Sequence, residues 1–291
     1  MKFSIVIPCL NAAPTIEETL HALAEQLWPV SWEVIVADNG SNDNLAQVIE
    51  RYGTRIPSIR LVDASARRGP SYARNMGVKV ATGELILFCD ADDIPAPGWA
   101  AAMVEALRTS SFVASRLEFE KLNAPSIRVA RDRTQTGELQ RFSFLPFSYA
   151  GSGTLGIKRS LHDAIGGFDE TLPVCEDIDY CMRVQEKGVR LELVAEAMLH
   201  CRLRDSAIGI YSQASRYAEY EVYLWQKYGA QSSWELWRWR QYGRSWRFLL
   251  GRVPQLLRTP EGRTMLAWRL GRQMGILKGS LRFGAPPISV E

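Results

Sequence analysis

Apolar positions in the N-terminal third alternate between two rhythms. FSIVIPC (3–9), EVIVADNGS (33–41), IRLVDA (59–64) and ELILFCDADD (84–93) are short apolar runs, the first closed by Pro8, and they predict four strands. Between the first two, APTIEETLHALAEQL spaces Ile16, Leu20, Leu23 and Leu27 at helical intervals. NLAQVIERYG and GPSYARNMGVKVATG predict two further helices. Pro14 and Pro70 suit helix starts, Glu17 and Glu18 suit the first of those starts, and Gly83 reads as a stop signal. Strand alternating with helix predicts a mostly parallel, twisted α/β sheet flanked by helices, with ligands at the carboxyl ends of its strands. Asp38 ends the second strand, and Asp90, Asp92 and Asp93 end the fourth, so one edge of that sheet is acidic.

The middle of the chain is less regular. Residues 112–120 and 126–131 read as a strand pair, TLGIKR as another strand, and GGFDE (166–170) as a turn. CEDIDYCMRVQEKG predicts a helix with Ile178, Met182 and Gln185 on one face, and RLELV and AMLHCRL predict two strands. A long helix over 206–229 leads into an aromatic, basic tail. No internal repeat and no low-complexity tract is visible.

Composition adds an asymmetry. Hydrophobic residues are 46% and charged ones 23% of the 291, enough for an ordinary globular core. Residues 1–224 hold 23 Lys and Arg against 29 Asp and Glu, while residues 225–291 hold 12 against 3. Trp225, Trp234, Trp237, Trp239, Trp246 and Trp268 are interleaved there with arginines. Three readings of this tail stay open: helices packing on the body, a basic arm for nucleic acid, and a foot on a membrane surface. Indole and guanidinium suit lipid head groups, which keeps the membrane reading open beside packing. Nothing in the tail resembles a nucleic-acid module, so no nucleic-acid partner is expected. A homodimer interface is the remaining alternative. The five cysteines are odd in number and form no C-x-x-C pair, as expected of free thiols in a reducing compartment. No signal peptide and no run near the roughly 20 apolar residues of a membrane span is present, so the expected location is the cytoplasm, with the tail able to reach the inner face of the membrane.

Asp90, Asp92 and Asp93 crowd three carboxylates where a buried strand meets solvent, an arrangement that a divalent cation would relieve. SIVIPCLNAAPTIEETL, VIVADNGSND, GPSYARNMGVKVATGELILFCDADD and GGFDETLPVCEDIDYCMRVQEKG resemble, in order and spacing, the family 2 glycosyltransferases of the GT-A fold, over about residues 3–205. The resemblance implies a metal-dependent, inverting transfer of a sugar from a nucleotide-sugar, by family habit a UDP-sugar, to a glycan or lipid-linked acceptor in bacterial surface glycan synthesis. It divides the chain into a catalytic domain over 1–205, with a nucleotide-sugar half (1–95) and an acceptor half (96–205), and a helical extension over 206–291.

The resemblance also implies roles for particular residues. Asp92 would ligate Mg²⁺ or Mn²⁺ directly, Asp90 would contact the ribose or the metal's waters, and Asp93 would stand behind them. Asp38 would bond the nucleobase, with Pro8 and Asn11 lining the base and ribose pocket. Asn39 stands where many relatives carry a second Asp. Arg74, of the ARN triplet, would order the Asp-x-Asp loop, and is preferred to Arg67 and Arg68. Asp177 would be the general base, raised by burial or by Glu176 beside it. His200 is open between a structural histidine and a third metal ligand, and Arg202 and Arg204 are candidates for phosphate. GSGTLG (151–156) matches a dinucleotide fingerprint literally, but it precedes a strand instead of opening a helix, so it reads as a small-residue loop with room for an acceptor. Two alternatives come from other classes. A non-catalytic nucleotide-sugar or glycan-binding protein would have no need of Asp177. A sugar nucleotidyltransferase would carry a Gly-rich, Arg-containing loop in place of PCLNAAPT.

Overall fold

The computed structural model describes residues 2–26, 31–56, 58–130, 134–229 and 235–288. Leu27, Arg131 and Trp234, which figure in the sequence pattern, lie outside the described residues. In chain order the elements begin with β1 (Phe3–Cys9), α1 (Ala13–Ala24), β2 (Trp32–Asp38), α2 (Leu45–Tyr52), β3 (Ile59–Asp63), α3 (Pro70–Val80) and β4 (Leu85–Phe88). There follow β5 (Ile94–Pro95), α4 (Trp99–Thr109), β6 (Phe112–Glu118), α5 (Pro125–Arg128), β7 (Leu155–Lys158), α6 (Arg159–Ala164), α7 (Glu176–Gln185) and β8 (Glu192–His200). Last come α8 (Ala207–Tyr228), α9 (Glu235–Leu256) and α10 (Pro260–Phe283). They form two compact units, one of Met1–Glu118, Arg133–Gln140 and Phe147–Arg202, the other of Phe119–Asp132, Arg141–Pro146 and Leu203–Glu291.

The first unit is built on one sheet of order β3-β2-β1-β4-β7-β6-β8-β5. Strands β1 to β4 run parallel because a helix returns the chain between each pair. β7 pairs antiparallel with both β4 and β6, so the sheet is mixed. Ile5, Ile7, Val34 and Val36 are fully buried, and α1 lays Ile16, Leu20 and Leu23 against the core. Each such side chain contributes about 1.5–3 kcal/mol.

At the amino edge of the sheet one carboxylate is fully provided for. Glu33 Oε1 accepts from Ser4 Oγ at 2.6 Å and from Thr82 N and Oγ1 at 2.7 Å each, while Oε2 accepts from Arg60 at 2.7 Å. Burial alone would raise its pKa, but these donors outweigh it and bring it down to about 2.

Several expected elements take a different form. Residues 126–130 do not pair as a strand: Pro125 opens the short helix α5, since its fixed φ and missing N–H suit a first helical turn and not a ladder. RLELV and AMLHCRL are one strand, β8. Ser115 of β6 faces Val194 and Arg116 faces Met198, so residues 195–197 bulge, and Arg116 Nε holds the bulge through the Ala195 carbonyl at 2.8 Å. Helix α3 ends at Val80, short of Gly83. Gly83 instead lets the chain pass β1, where a Cβ would stand 2.6 Å from the Phe3 and Ser4 backbone. No acidic side chain occupies the first turn of α1, and Asp43 from the β2–α2 loop accepts from the Ala13 N–H at 2.9 Å in their place.

In the second unit α8 and α10 cross in backbone contact. Gly271, Gly275 and Gly279 form an i, i+4 row on α10, where any Cβ would come within 2.1–2.5 Å of the Tyr211, Ser215 and Glu219 carbonyls. Arg272 adds two bonds to Glu221, at 3.0 and 2.8 Å, and Tyr242 of α9 donates to the Gln273 carbonyl at 2.7 Å. Among the described residues no helix is long and apolar enough to cross a membrane.

Candidate active site

The carboxyl edge of the sheet gathers residues that are far apart in sequence. Asp38 closes β2 beside Cys9 of β1 and Asp63 of β3. Its Oδ1 accepts from the Gly40 and Ser41 N–H groups at 3.1 and 2.8 Å, which fixes the turn after the strand. Pro8, half-buried, stands opposite Ala37 in β2, and Asn11, exposed with a left-handed φ of 51°, accepts from the Asn42 N–H at 2.8 Å. The two loops expected to line a base and ribose are therefore tied to each other.

Asn39 explains its own identity. Its amide nitrogen donates to the Ala64 and Arg67 carbonyls at 2.6 and 2.8 Å, and its oxygen accepts from Gly69 N at 2.8 Å. Asp could not make the two donations. Arg67 pairs with Glu170 at 2.6 Å and Arg68 donates to the Asn39 carbonyl at 2.8 Å, so both serve loop structure.

Arg74 is the centre of the site. Gly69, with φ 134°, and Pro70 set the start of α3, and four residues on the guanidinium lies buried, one nitrogen 2.7 Å from Asp90 Oδ1 and another 2.8 Å from Glu176 Oε1. Burial disfavours its charge, but Asp90 and Glu176 outweigh that and hold its pKa above the usual arginine value. The next residue, Asn75, donates to the Phe168 carbonyl at 2.9 Å and to Glu170 at 3.0 Å, and accepts from Phe168 N at 2.9 Å. The triplet thus ties the loop after β4 to α7 and to the GGFDE turn. Phe168 stacks on Tyr180 with centroids 4.0 Å apart and lies under the Arg74 guanidinium.

Glu176 and Asp177 open α7 immediately after Cys175, whose left-handed φ of 59° is uncommon for a residue with a side chain and marks a forced turn. Asp177 keeps an edge open to solvent and accepts from the Ile178 N–H at 2.8 Å. Burial first, and the Glu176 charge second, push its pKa up to about 7.

Asp90 and Asp92 are each partly exposed, while Asp93 is buried and accepts from the Arg202 N–H at 2.9 Å. Burial, then the Asp92 and Asp90 charges, hold Asp93 well above the usual carboxylate range. Gly153 borders Asp90 so closely that a Cβ would stand 2.6 Å from its Cγ and 2.7 Å from Oδ2. GSGTLG is accordingly a short turn over Ser152–Thr154 that makes room for Asp90 before β7 begins. His200 faces Ile94 across the β5–β8 pairing, next to the acidic loop, and its Nδ1 bonds Glu118. The Arg202 guanidinium bonds Glu18 at 2.8 Å and the Asp92 carbonyl at 3.2 Å. Arg204 is exposed and falls in the second unit.

The site residues of the first unit therefore meet on one edge, with one exception. Among the described residues no three His, Cys, Asp or Glu side chains are gathered closely enough to hold a metal ion, so Asp90, Asp92 and His200 do not form a ready-made cage. Sequence reasoning passes over Asn75, Gly153 and Glu118. Asn75 has a signal in the ARN triplet itself, and Gly153 in the glycine-rich turn, whereas Glu118 has none.

The family model described as "Glycosyl transferase family 2" matches residues 4–166. A Bacillus subtilis protein named as the uncharacterized glycosyltransferase YwdF is 33% identical over 191 residues, covering 63% of this chain and 68% of its own. Poly(ribitol-phosphate) beta-N-acetylglucosaminyltransferase TarS of Staphylococcus aureus is 37% identical over 95 residues, 32% of this chain and 16% of its own. Of other curated relatives, too, the chain spans less than two thirds. The crystal structure of TarS 1–349 superposes with a TM-score of 0.58 and 22% identity, covering 98% of this chain and 92% of that one; another TarS structure contains UDP-GlcNAc. A mannosyltransferase of Pyrobaculum calidifontis, in complex with GDP-mannose and Mn²⁺, has a TM-score of 0.69 at 20% identity, covering 95% and 86%.

Proposed function

Because the chain belongs to glycosyl transferase family 2 and has the GT-A fold, we propose that it performs a metal-dependent, inverting transfer of a sugar from a nucleoside-diphosphate sugar to an acceptor hydroxyl. The observation that carries this reading is the buried Arg74 bonded at once to Asp90 and Glu176, with Asp177 raised to about 7 beside them.

Asp92 and Asp90 are the groups that would hold Mg²⁺ or Mn²⁺. Their oxygen donors suit a hard cation, which commonly takes one or two carboxylates and completes its shell with substrate phosphates. Bound there, the ion would offset the charge building on the departing diphosphate. His200, held by Glu118 through Nδ1, has Nε2 to offer such an ion. Asp38 receives the base, and Pro8 and Asn11 line its pocket. Arg74 holds both Asp90 and Glu176 in place. Asp177 takes the proton of the acceptor hydroxyl as that oxygen attacks the anomeric carbon opposite the leaving diphosphate. A base near pH 7 is matched to that task, and a protein that only bound its ligand would not need one.

Neighbours holding UDP-GlcNAc and GDP-mannose support a nucleotide-sugar donor, of which UDP-sugars are the first choice. TarS and its named polymer support a glycan or lipid-linked acceptor in bacterial surface polysaccharide synthesis. The test is donor binding and hydrolysis across a panel of UDP- and GDP-sugars with Mn²⁺, Mg²⁺ or EDTA. One donor should turn over with metal and stop in EDTA, and Asp92→Ala should lose at least a hundredfold in rate. Turnover indifferent to EDTA and to Asp92→Ala would sink the metal assignment.

A further inference from the structure

Helix α9 buries Tyr242 and Leu249 and turns an opposite face to solvent. On that face Trp237, Arg244 and Phe248 follow one another at helical steps, Trp237 50% and Phe248 55% exposed. Arg240 and Arg247 run alongside, both exposed, and Arg252 lies over the Phe248 ring at 4.2 Å. None of the ion pairs among the described residues involves Arg240, Arg244 or Arg247. Between Glu235 and Glu261 there are six arginines, no lysine and no acidic residue.

We propose that this face of α9 is a docking surface for an anionic lipid membrane, a property independent of sugar transfer. Guanidinium forks match phosphate oxygens in pairs, which lysine does not do. Indole and phenyl rings rest at head-group depth, and a stable anchor needs both apolar and electrostatic contributions. Two other partners fit less well. A second copy of the chain seated on the same face would bring arginine rows against each other with no acidic residue between Glu235 and Glu261 to pair them, and like charges brought together repel. Single-stranded nucleic acid stacks successive bases on neighbouring rings, but Trp237 and Phe248 are roughly 16 Å apart along the helix axis.

The test is sedimentation of the full chain with phosphatidylcholine vesicles, with and without phosphatidylglycerol. The chain should bind the anionic vesicles alone, with a blue shift of tryptophan emission, and be released by salt. The combined variant Arg240→Gln, Arg244→Gln and Arg247→Gln should bind about a hundredfold more weakly, from roughly fivefold per arginine. Trp237→Ala with Phe248→Ala should also weaken binding. All five positions are exposed, so circular dichroism and turnover of the donor should not change. No binding to anionic vesicles, or equal binding by the arginine variant, overturns the proposal. So does retention on RNA without vesicle binding, or a dimer that Trp237→Ala with Phe248→Ala dissolves while vesicles go unbound.

Discussion

Strand β2 carries a carboxylate at each end of the sheet, and the two ends are furnished in opposite ways. At the amino edge Glu33 receives four hydrogen bonds and is held down to about 2. At the carboxyl edge Asp90, Glu176 and Asp177 crowd around the single guanidinium of Arg74, and Asp177 is driven up to about 7. Glu33 contributes stability that is present above its ordinary pKa and lost as pH falls toward 2. Asp177 has the reverse sign: its contribution is complete below its ordinary pKa and is lost as pH rises through about 7. One edge uses charge to hold the sheet together, while the other keeps charge under-compensated, which is what the proposed cation and base require.

The sharpest way to break this comparison is Asp177→Asn. Transfer should fall by 10²- to 10⁴-fold while donor binding persists, and the melting temperature at pH 8, measured without ligand, should hold or rise because a buried negative charge is gone. A drop in both activity and stability would make Asp177 a structural residue. Next in size is Arg74→Met, which leaves Asp90 and Glu176 without their shared cation. Denaturant unfolding should show a loss of about 3 kcal/mol, the lower end for a broken buried pair because Asp90 is partly in water, together with a fall in turnover. Smallest is Glu33→Gln. It should cost about 2 kcal/mol at pH 7, flatten the acid limb of the stability curve, and leave turnover of the donor intact. A catalytic effect of Glu33→Gln would mean that the two edges are not separate in role.

How much of this was legible in the sequence follows from distance along the chain. Asp38, Asp90 and Asp92 can be read because each sits where a periodic apolar run stops, and strand ends of an α/β sheet converge on one edge, whereas the Glu176-Asp177 pair opens a helix and is picked out only through the family resemblance. Arg74 could be placed near them, but its simultaneous grip on Asp90 and Glu176 could not, since Glu176 lies 102 residues away. Asn75 and Phe168, 93 residues apart, are the same case. Asn39 departs from the acidic pattern for a reason visible only once the loop over residues 64–69 is seen wrapped around its amide. Strand β8 reads as two strands because a bulge interrupts its alternation, and only the pairing with β6 restores continuity. In the second unit the row of Gly271, Gly275 and Gly279 is a plain i, i+4 signal that the more conspicuous tryptophans and arginines obscure.

The most direct measurement is the pH dependence of kcat/KM for whichever nucleotide-sugar turns over, in the wild type and in Asp177→Asn. The account predicts an acid limb with a midpoint near pH 7 in the wild type, rate rising as Asp177 loses its proton, and a residual rate in the variant without that limb. A limb that persists unchanged in Asp177→Asn, or a wild-type profile flat from pH 5 to 9, would contradict the assignment of Asp177 as the base.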